Sequence, residues 1–490
     1  MSVQTRRMDR PVELSERYYS SDDPLDRVLR PDPHETPDQR SARLMAEFEA
    51  KQRSDAIDEM LRQERVAQKK KKEVKILLLG QSESGKSTTL KQFQLLWAPN
   101  ILDAERLYWR PVIFLNLVVS VRRILECLSV RPDEEARPGT GSSAMSVEET
   151  YSRYAELKLK LSPLLQLESV LLNELGAPAD FDSANVYDRT SPLPGASGHK
   201  RDILVRMEWQ ERLAKSKAAR GSRGPGLGDR VAFADPGDAG AIISACRPEL
   251  QRLWDDPFVH AVMARRKLRL EESSGFFVND LNRIARYEYI PTDEDILRAR
   301  VRTIGVSEHR FTPPSTEREP AEWVIYDVGG TRGQRPKWVP YFEDAQAIIF
   351  LAPVSAFDQF LAEDRKVNRL ADSFQLFEHI CKQELLKGSS IILFLNKADL
   401  LKAKLDAGVR FNKWIERYGD RPNEFEAVAN YLKGKFVELY KFHRNKVSPR
   451  DSRELYVHLT SVVDIRTTHA IFQDVKETII RDYLRNTKLI

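Results

Sequence analysis

Lys75–Leu90 reads KILLLGQSESGKSTTL, and the rest of the chain is interpreted outward from it. The unbroken apolar run Ile76, Leu77, Leu78, Leu79 predicts a strand buried on both faces, stopped by Gly80. A short polar loop follows, then the helix-forming Thr88-Thr89-Leu90-Lys91-Gln92. Within the loop, Gly80, Gly85, Lys86 and Ser87 make G-x-x-x-x-G-K-S. Its glycines let the loop turn N–H groups inward around phosphate oxygens, and the helix behind aims its positive end at them. Lys86 reaches the outer phosphates as a point charge, and the Ser87 hydroxyl suits Mg2+. A Gly/Ser turn fitting the pattern by chance would lack the strand before and the helix after. The stretch is a phosphate cradle.

At 490 residues the chain has room for about two or three domains. Charged residues make up 31%, yet the net charge is only +5 with Lys and Arg spread throughout, which argues against a nucleic-acid footprint. Lys69–Lys72 is a local basic run, read as a solvated face ahead of an anionic-membrane contact. Cys127, Cys246 and Cys381 lie far apart without metal spacing, the pattern of reduced thiols in a cytoplasmic protein. No apolar run is long enough to span a bilayer and no signal-peptide pattern occurs, so a secreted or membrane-spanning chain is not expected. Ser2 stands where myristoylation needs glycine, and no cysteine precedes Cys127, so N-terminal lipidation is not expected either.

Residues 1–38 are polar and proline-punctuated, the composition of a disordered tail, and 39–73 reads as a charged helix with a thin apolar stripe (Leu44, Phe48, Ile57, Met60, Leu61). A second long helix is expected over 104–128. Gly/Pro/Ser-rich stretches between about 131 and 245 read as a partly disordered insertion, with helical pieces near 148–175 and 201–217. Helical periodicity resumes at 247–288. From residue 321 onward, WVIYD (323–327), AIIFLAPV (347–354), SIILFLN (390–396) and ELYVHLT (454–460) alternate with helices near 362–387, 424–441 and 469–484. Strands apolar on both faces alternating with helices mean a mainly parallel α/β sheet, with phosphate loops at its carboxyl edge. The expected organisation is an α/β domain over 74–98 and 297–490, interrupted by an all-α domain over 99–296.

Two further motifs select the nucleotide. Asn396-Lys397-Ala398-Asp399 closes the FLN strand as N-K-x-D. A carboxylate there accepts the N1–H and exocyclic amine of guanine; adenine offers an acceptor at N1 and lacks that amine, so it is rejected. Asp327-Val328-Gly329-Gly330 closes WVIYD, where an acidic residue serves Mg2+ through water and a glycine N–H meets a γ-phosphate. An aspartate merely capping a turn would not explain its pairing with the cradle.

With these motifs, the chain resembles the alpha subunits of heterotrimeric G proteins, as a divergent, fungal-type member with a long insertion. The resemblance also covers FFVNDLNRIA (276–285), YIPTDEDIL (289–297), DILRARVRT (295–303), RPKW (335–338), SAFDQFLAEDRKVNRLADSFQLF (355–377), IILFLNKADL (391–400) and LTSVVD (459–464). It spans about residues 41–130 and 250–490. It implies a Ras-like P-loop GTPase domain with an inserted helical domain, GTP or GDP as ligand, and Mg2+ on Ser87 and Thr303. Gly80, Gln81, Ser82, Glu83, Ser84, Gly85, Lys86, Ser87 and Thr88 would wrap the phosphates. Leu297, Arg298, Ala299, Arg300, Val301, Arg302 and Thr303 would form the first switch, with Arg300 as built-in arginine finger positioned by Glu83. The second switch would run from Asp327 through Val328, Gly329, Gly330 and Thr331 to about Trp338. Asn396, Lys397, Ala398, Asp399 and Val462 would serve the base, and Glu272 and Ser273 would approach the nucleotide from the helical domain. Implied partners are a beta–gamma complex, a G protein-coupled receptor and an effector, with the chain cytoplasmic or peripheral on the inner face of the plasma membrane and no nucleic acid bound.

Two departures fall at the hydrolytic centre. The family has a water-orienting glutamine where this chain has Thr331, and reads G-A-G-E-S-G-K-S where this chain has G-Q-S-E-S-G-K-S, so Ser82 replaces a glycine. GTP binding with slow hydrolysis is the expectation. The alternative is a largely GTP-bound scaffold or regulator; a P-loop kinase or ATPase is disfavoured by N-K-x-D.

Overall fold

The computed structural model describes residues 35–70, 73–129, 147–175, 238–266, 268–301, 305–313, 322–447 and 455–486. Contacts divide the chain into two units, Met1–Lys71 and Lys72–Ile490. The described part of the first is one helix, α1 (Pro37–Lys70). Its sequence lacks Gly and interior Pro, and (i, i+4) pairs such as Arg43–Glu47 at 2.8 Å support it. Leu44, Phe48, Ile57, Met60 and Leu61 are all exposed.

The second unit holds a sheet ordered β2-β3-β1-β4-β5-β6 among the described residues. The strands are β1 (Glu73–Gly80), β2 (Val306–Phe311), β3 (Glu322–Val328), β4 (Ala347–Pro353), β5 (Ser390–Asn396) and β6 (Leu455–Thr460). All neighbours pair in parallel except β2 with β3. The sequence reading did not include β2: VSEHRF mixes charged and apolar residues, as an antiparallel strand at a sheet edge does. Register places Leu78 opposite Asp327, Gly80 opposite Leu351, and Asn396 opposite Thr460. The four parallel strands that carry motifs therefore end along one edge.

Helices cover both faces of this sheet. They are α2 (Lys86–Trp97), α12 (Arg369–Lys382), α13 (Ala398–Asp406), α14 (Phe425–Val447) and α15 (Ile465–Asn486), numbered after the intervening block. Alternate residues of β1 point to opposite layers. Leu77 and Leu79 pack with Phe350, Phe377 and Phe436; Ile76 and Leu78 pack with Phe93, Trp323, Phe394, Phe472, Val475 and Ile479. Phe93 stacks on Phe472 with centroids 4.3 Å apart, which pins α2 to α15 directly behind the cradle. Each such buried side chain contributes roughly 1.5–3 kcal/mol of transfer free energy.

Among the described residues the block between α2 and β2 is all helical: α3 (Pro99–Glu105), α4 (Trp109–Ser129), α5 (Val147–Lys160), α6 (Ser162–Glu174), α7 (Ala239–Ala245), α8 (Arg247–Trp254), α9 (Pro257–Arg265), α10 (Leu281–Ile284) and α11 (Asp293–Arg298). Prolines at the first turns of α6, α8 and α9 divide what periodicity suggests are longer helices. Buried residues surround α4 on every side, from Val112 and Ile113 to Leu125 and Leu128, so it is the centre of a separate core. The stretch 201–217 and most of the insertion lie outside the described residues. The fold is a P-loop α/β domain interrupted by an inserted helical domain.

Candidate functional site

The loop after β1 is held by its own backbone and by Lys86. The ammonium donates to the main-chain oxygens of Gly80 (3.0 Å) and Gln81 (2.6 Å). Among the described residues no carboxylate is bonded to it, and burial brings its pKa down to about 8. Gly85 adopts φ +108°, and a Cβ there would collide with Asn396 Nδ2, so glycine is required on both counts. A Cβ on Gly330 would meet Lys86 Nζ and the Gln81 carbonyl, which sets the approach of the loop after β3 to the cradle. Glu83 (φ 60°) and Lys397 (φ 64°) are the non-glycine residues with positive φ among those described. Both border the site, where backbone strain tends to concentrate.

Three cavities adjoin here: a wide one of about 960 Å³ shares Ser82, Glu83, Arg300, Thr331, Glu272 and Ser273 with two smaller ones. Of the smaller two, the first, about 70 Å³, is lined by Ser82, Glu83, Lys86, Ser87, Arg300 and Thr331, with Ala299, Val301, Val328 and Gly330. The second, about 190 Å³, is lined by Asn396, Lys397, Asp399, Val462, Leu297 and Arg298, with Glu272 and Ser273 from the helical domain. Gly85, Thr88 and Ser274 line both. The cradle lysine and the N-K-x-D carboxylate thus line adjoining cavities that share three residues, one cationic and the other able to read a base.

At the phosphate end, Ser87 Oγ donates to Asp327 Oδ2 at 2.6 Å, and Asp327 is almost fully buried at the end of β3. A hydroxyl and a carboxylate converging there form a hard oxygen donor set of the kind Mg2+ takes. Arg300 Nη2 lies 2.5 Å from Glu83 Oε1. Arg369, from the start of α12, donates to Glu83 Oε2 (3.3 Å) and to the Ser82 carbonyl (2.7 Å). Thr331 lines this same cavity beside Arg300. Arg302 and Thr303 lie outside the described residues.

At the other end, Asn396 ties three segments together. Its Nδ2 donates to the Ser84 carbonyl at 2.7 Å, and its Oδ1 accepts from Val462 N and Thr460 Oγ1, both at 3.2 Å. Burial brings the Lys397 ammonium down to about 8. Glu272 is clasped by Lys404 Nζ (2.8 Å) and Gln359 Nε2 (2.9 Å), and Lys404 also reaches Asp358. These contacts join the helical domain to the α/β domain at the cavity's rim.

Several predicted residues support the site without lining it. Gly80 and Gln81 supply carbonyls to Lys86, and Ser84 supplies one to Asn396. Gly329 accepts from Trp338 Nε1 at 3.0 Å. Ala398 opens α13.

Sequence reasoning missed Asn116. From the middle of α4, its Oδ1 accepts the Arg300 N–H at 2.8 Å, and its Nδ2 donates to the Arg300 carbonyl at 3.1 Å. The only signal was a polar residue inside an apolar stripe, which is more often an ordinary satisfied core amide. Ser274, Gly275 and Arg369 were missed as site residues as well. Gly275 donates its N–H to the Arg298 carbonyl at 3.0 Å. Lys91 went unnoticed because lysines are usually solvated. It is buried, donates to the carbonyls of Ile296 (2.7 Å) and Ala299 (2.9 Å), and lies 4.1 Å from the centre of the Trp109 ring.

A family model described as G-protein alpha subunit matches residues 51–479. A guanine nucleotide-binding protein alpha-4 subunit from Mycosarcoma maydis is 35% identical, over 96% of this chain and 96% of its own length. Cradle, N-K-x-D loop, interrupted α/β fold and sequence similarity agree: the chain belongs to the alpha subunits of G proteins, a family of GTP-binding signal transducers with GTPase activity.

Proposed function

We propose that the chain is a guanine-nucleotide switch that couples a membrane receptor to an effector and hydrolyses GTP slowly. The observation that carries this reading is the pair of cavities meeting at Gly85, Thr88 and Ser274, with Lys86 and Arg300 at one end and Asp399 at the other. The cradle amides and Lys86 hold the phosphates, Arg300 stabilises charge developing on the transferring phosphoryl group, and Glu83 orients Arg300. Ser87 and Thr303 would hold Mg2+, with Asp327 in support, and the ion would neutralise negative charge at the phosphate end. Asp399 selects guanine.

Slow hydrolysis follows from Thr331 and Ser82, which both line the phosphate end. Neither supplies the carboxamide that orients an attacking water, and Ser82 adds a side chain where the family has none. The same two residues favour the second reading, a largely GTP-bound scaffold or regulator.

The proposed organisation is a tail over 1–38, a helix over 39–73, a Ras-like domain over 74–98 and 297–490, and a helical domain over 99–296 with its insertion at about 131–245. Proposed partners are a beta–gamma complex, a receptor and an effector. Among the described residues no helix is long and apolar enough to cross a membrane, and peripheral membrane association is the proposed route.

Nucleotide extracted from the purified protein tests these readings. GDP supports a cycling switch, and retained GTP supports the locked state. Competition by ATP as strong as by GTP against a fluorescent guanine nucleotide would refute both.

A further inference from the structure

The side chain of Gln81 plays no part in the nucleotide reading, yet the residue is only 1% exposed. Its carboxamide Nε2 donates to the Arg369 carbonyl at 2.6 Å and to Asp372 Oδ2 at 2.7 Å. Both partners are acceptors, which fixes the orientation of the amide. Asp372, buried on α12, is also where the second switch is anchored. Its Oδ1 accepts from Arg332 Nε (3.1 Å) and Nη2 (3.0 Å), and its Oδ2 accepts from Arg335 Nη2 (2.6 Å). Burial by itself would raise the Asp372 carboxyl, but hydrogen bonds and charge from Arg335 and Arg332 outweigh it and hold the group below the usual carboxylate range. The Gln81 carbonyl meanwhile accepts from Lys86 Nζ. One residue therefore touches the phosphate-reaching lysine with its main chain and the switch anchor with its side chain. The family's alanine at this position could make only the first contact.

We propose that Gln81 is a positioning residue that ties the phosphate loop to the second switch, keeping Arg332 and Arg335 on Asp372 under GDP as well as GTP. The proposal rests on guanine-nucleotide binding as read above, and of the two readings it favours the second, a regulator whose switch surface does not follow the nucleotide. Every donor and acceptor in the tie is a protein group, so the tie needs no γ-phosphate to form. With alanine at position 81, the γ-phosphate contact at the Gly330 amide would be the main link between loop and switch, and the switch would loosen whenever that phosphate is gone. A neutral donor on a buried carboxylate is strong enough to shift such an equilibrium roughly tenfold or more. A partner that reads the second switch would consequently meet nearly the same surface in both nucleotide states.

Hydrogen exchange of peptides covering residues 331–341 tests this in the full-length protein saturated with GDP or with a non-hydrolysable GTP analogue. The part of the tryptophan emission that Trp338→Phe removes provides a second readout, because Trp338 is buried and bonded to the Gly329 carbonyl. In the wild type, protection and emission should differ little between the two nucleotides. Q81A restores the family residue, and Q81E sets a second carboxylate against Asp372. Both should lose protection about tenfold or more with GDP and much less with the analogue. A large nucleotide-dependent difference already present in the wild type, or one left unchanged by Q81A and Q81E, overturns the proposal alone. Failure of the wild type to bind a fluorescent guanine nucleotide overturns the functional reading and this proposal with it.

Discussion

Replacing Thr331 with glutamine should accelerate GTP hydrolysis. Thr331 lines the phosphate-end cavity together with Arg300 and Glu83, so its side chain already starts from the right place. What it lacks is reach. Glutamine's terminal atoms lie two bonds beyond a threonine hydroxyl, about 2.5 Å further out, so a water held at ~2.8 Å by glutamine would lie ~5 Å from the hydroxyl, beyond hydrogen-bond range. Losing one group that positions the nucleophile costs roughly 1.4–4 kcal/mol, a factor of about ten to a thousand. The assay is a single turnover: protein loaded with GTP, hydrolysis started with Mg2+, phosphate release followed over time. Thr331→Gln should be ten- to a thousandfold faster than wild type on that scale, and Thr331→Leu should bring no gain. Ser82→Gly should add a smaller increase that is not simply multiplicative, because both residues border one cavity. Unchanged hydrolysis in Thr331→Gln with GTP affinity intact would refute the reasoning. So would wild-type hydrolysis as fast as that of an ordinary alpha subunit.

Asn116→Ala removes both hydrogen bonds to the Arg300 peptide, each worth about 1 kcal/mol, so hydrolysis measured in the Thr331→Gln background should fall roughly ten- to a hundredfold while GTP affinity changes little. Glu272→Gln weakens the clasp with Lys404 at the rim of the base cavity, and stopped-flow release of a fluorescent GDP should speed up about tenfold. Affinity should also depend on pH through Lys86. Burial sets its pKa at about 8 in the protein, and a bound phosphate favours the charged form, so binding takes up a proton above that pH. Affinity should be level below about pH 8 and fall as pH rises beyond it, by up to about tenfold per unit, in equilibrium titrations from pH 7 to 9.5; Lys86→Met should flatten the profile.

Motifs that combine a strand end with the loop after it were legible at once. The apolar run 76–79 before Gly80, and SIILFLN before Lys397, name both the element and the edge where chemistry sits, because a parallel strand buried on both faces leaves its polar residues only beyond its carboxyl end. Strand β2 was illegible for the complementary reason: at an edge, with half-exposed charged residues, VSEHRF buries too little to leave a periodic signal. The breaks between α5 and α6 and between α8 and α9 blurred because helical periodicity continues across a proline-led restart.

The sequence by itself determined that a phosphate cradle and a guanine-selecting carboxylate stand at the ends of strands in one α/β sheet, since each motif is contiguous and its chemistry is local. Tertiary structure alone decided who holds those groups in place. Asn116 grips Arg300 across 184 residues, Arg369 reaches the Ser82 carbonyl across 287, and Gln81 finds Asp372 across 291. Such partners are chosen by the packing of buried elements, and in a low-dielectric interior a polar group must find a matching donor or acceptor wherever the fold brings one. Spacing along a chain carries no record of that meeting.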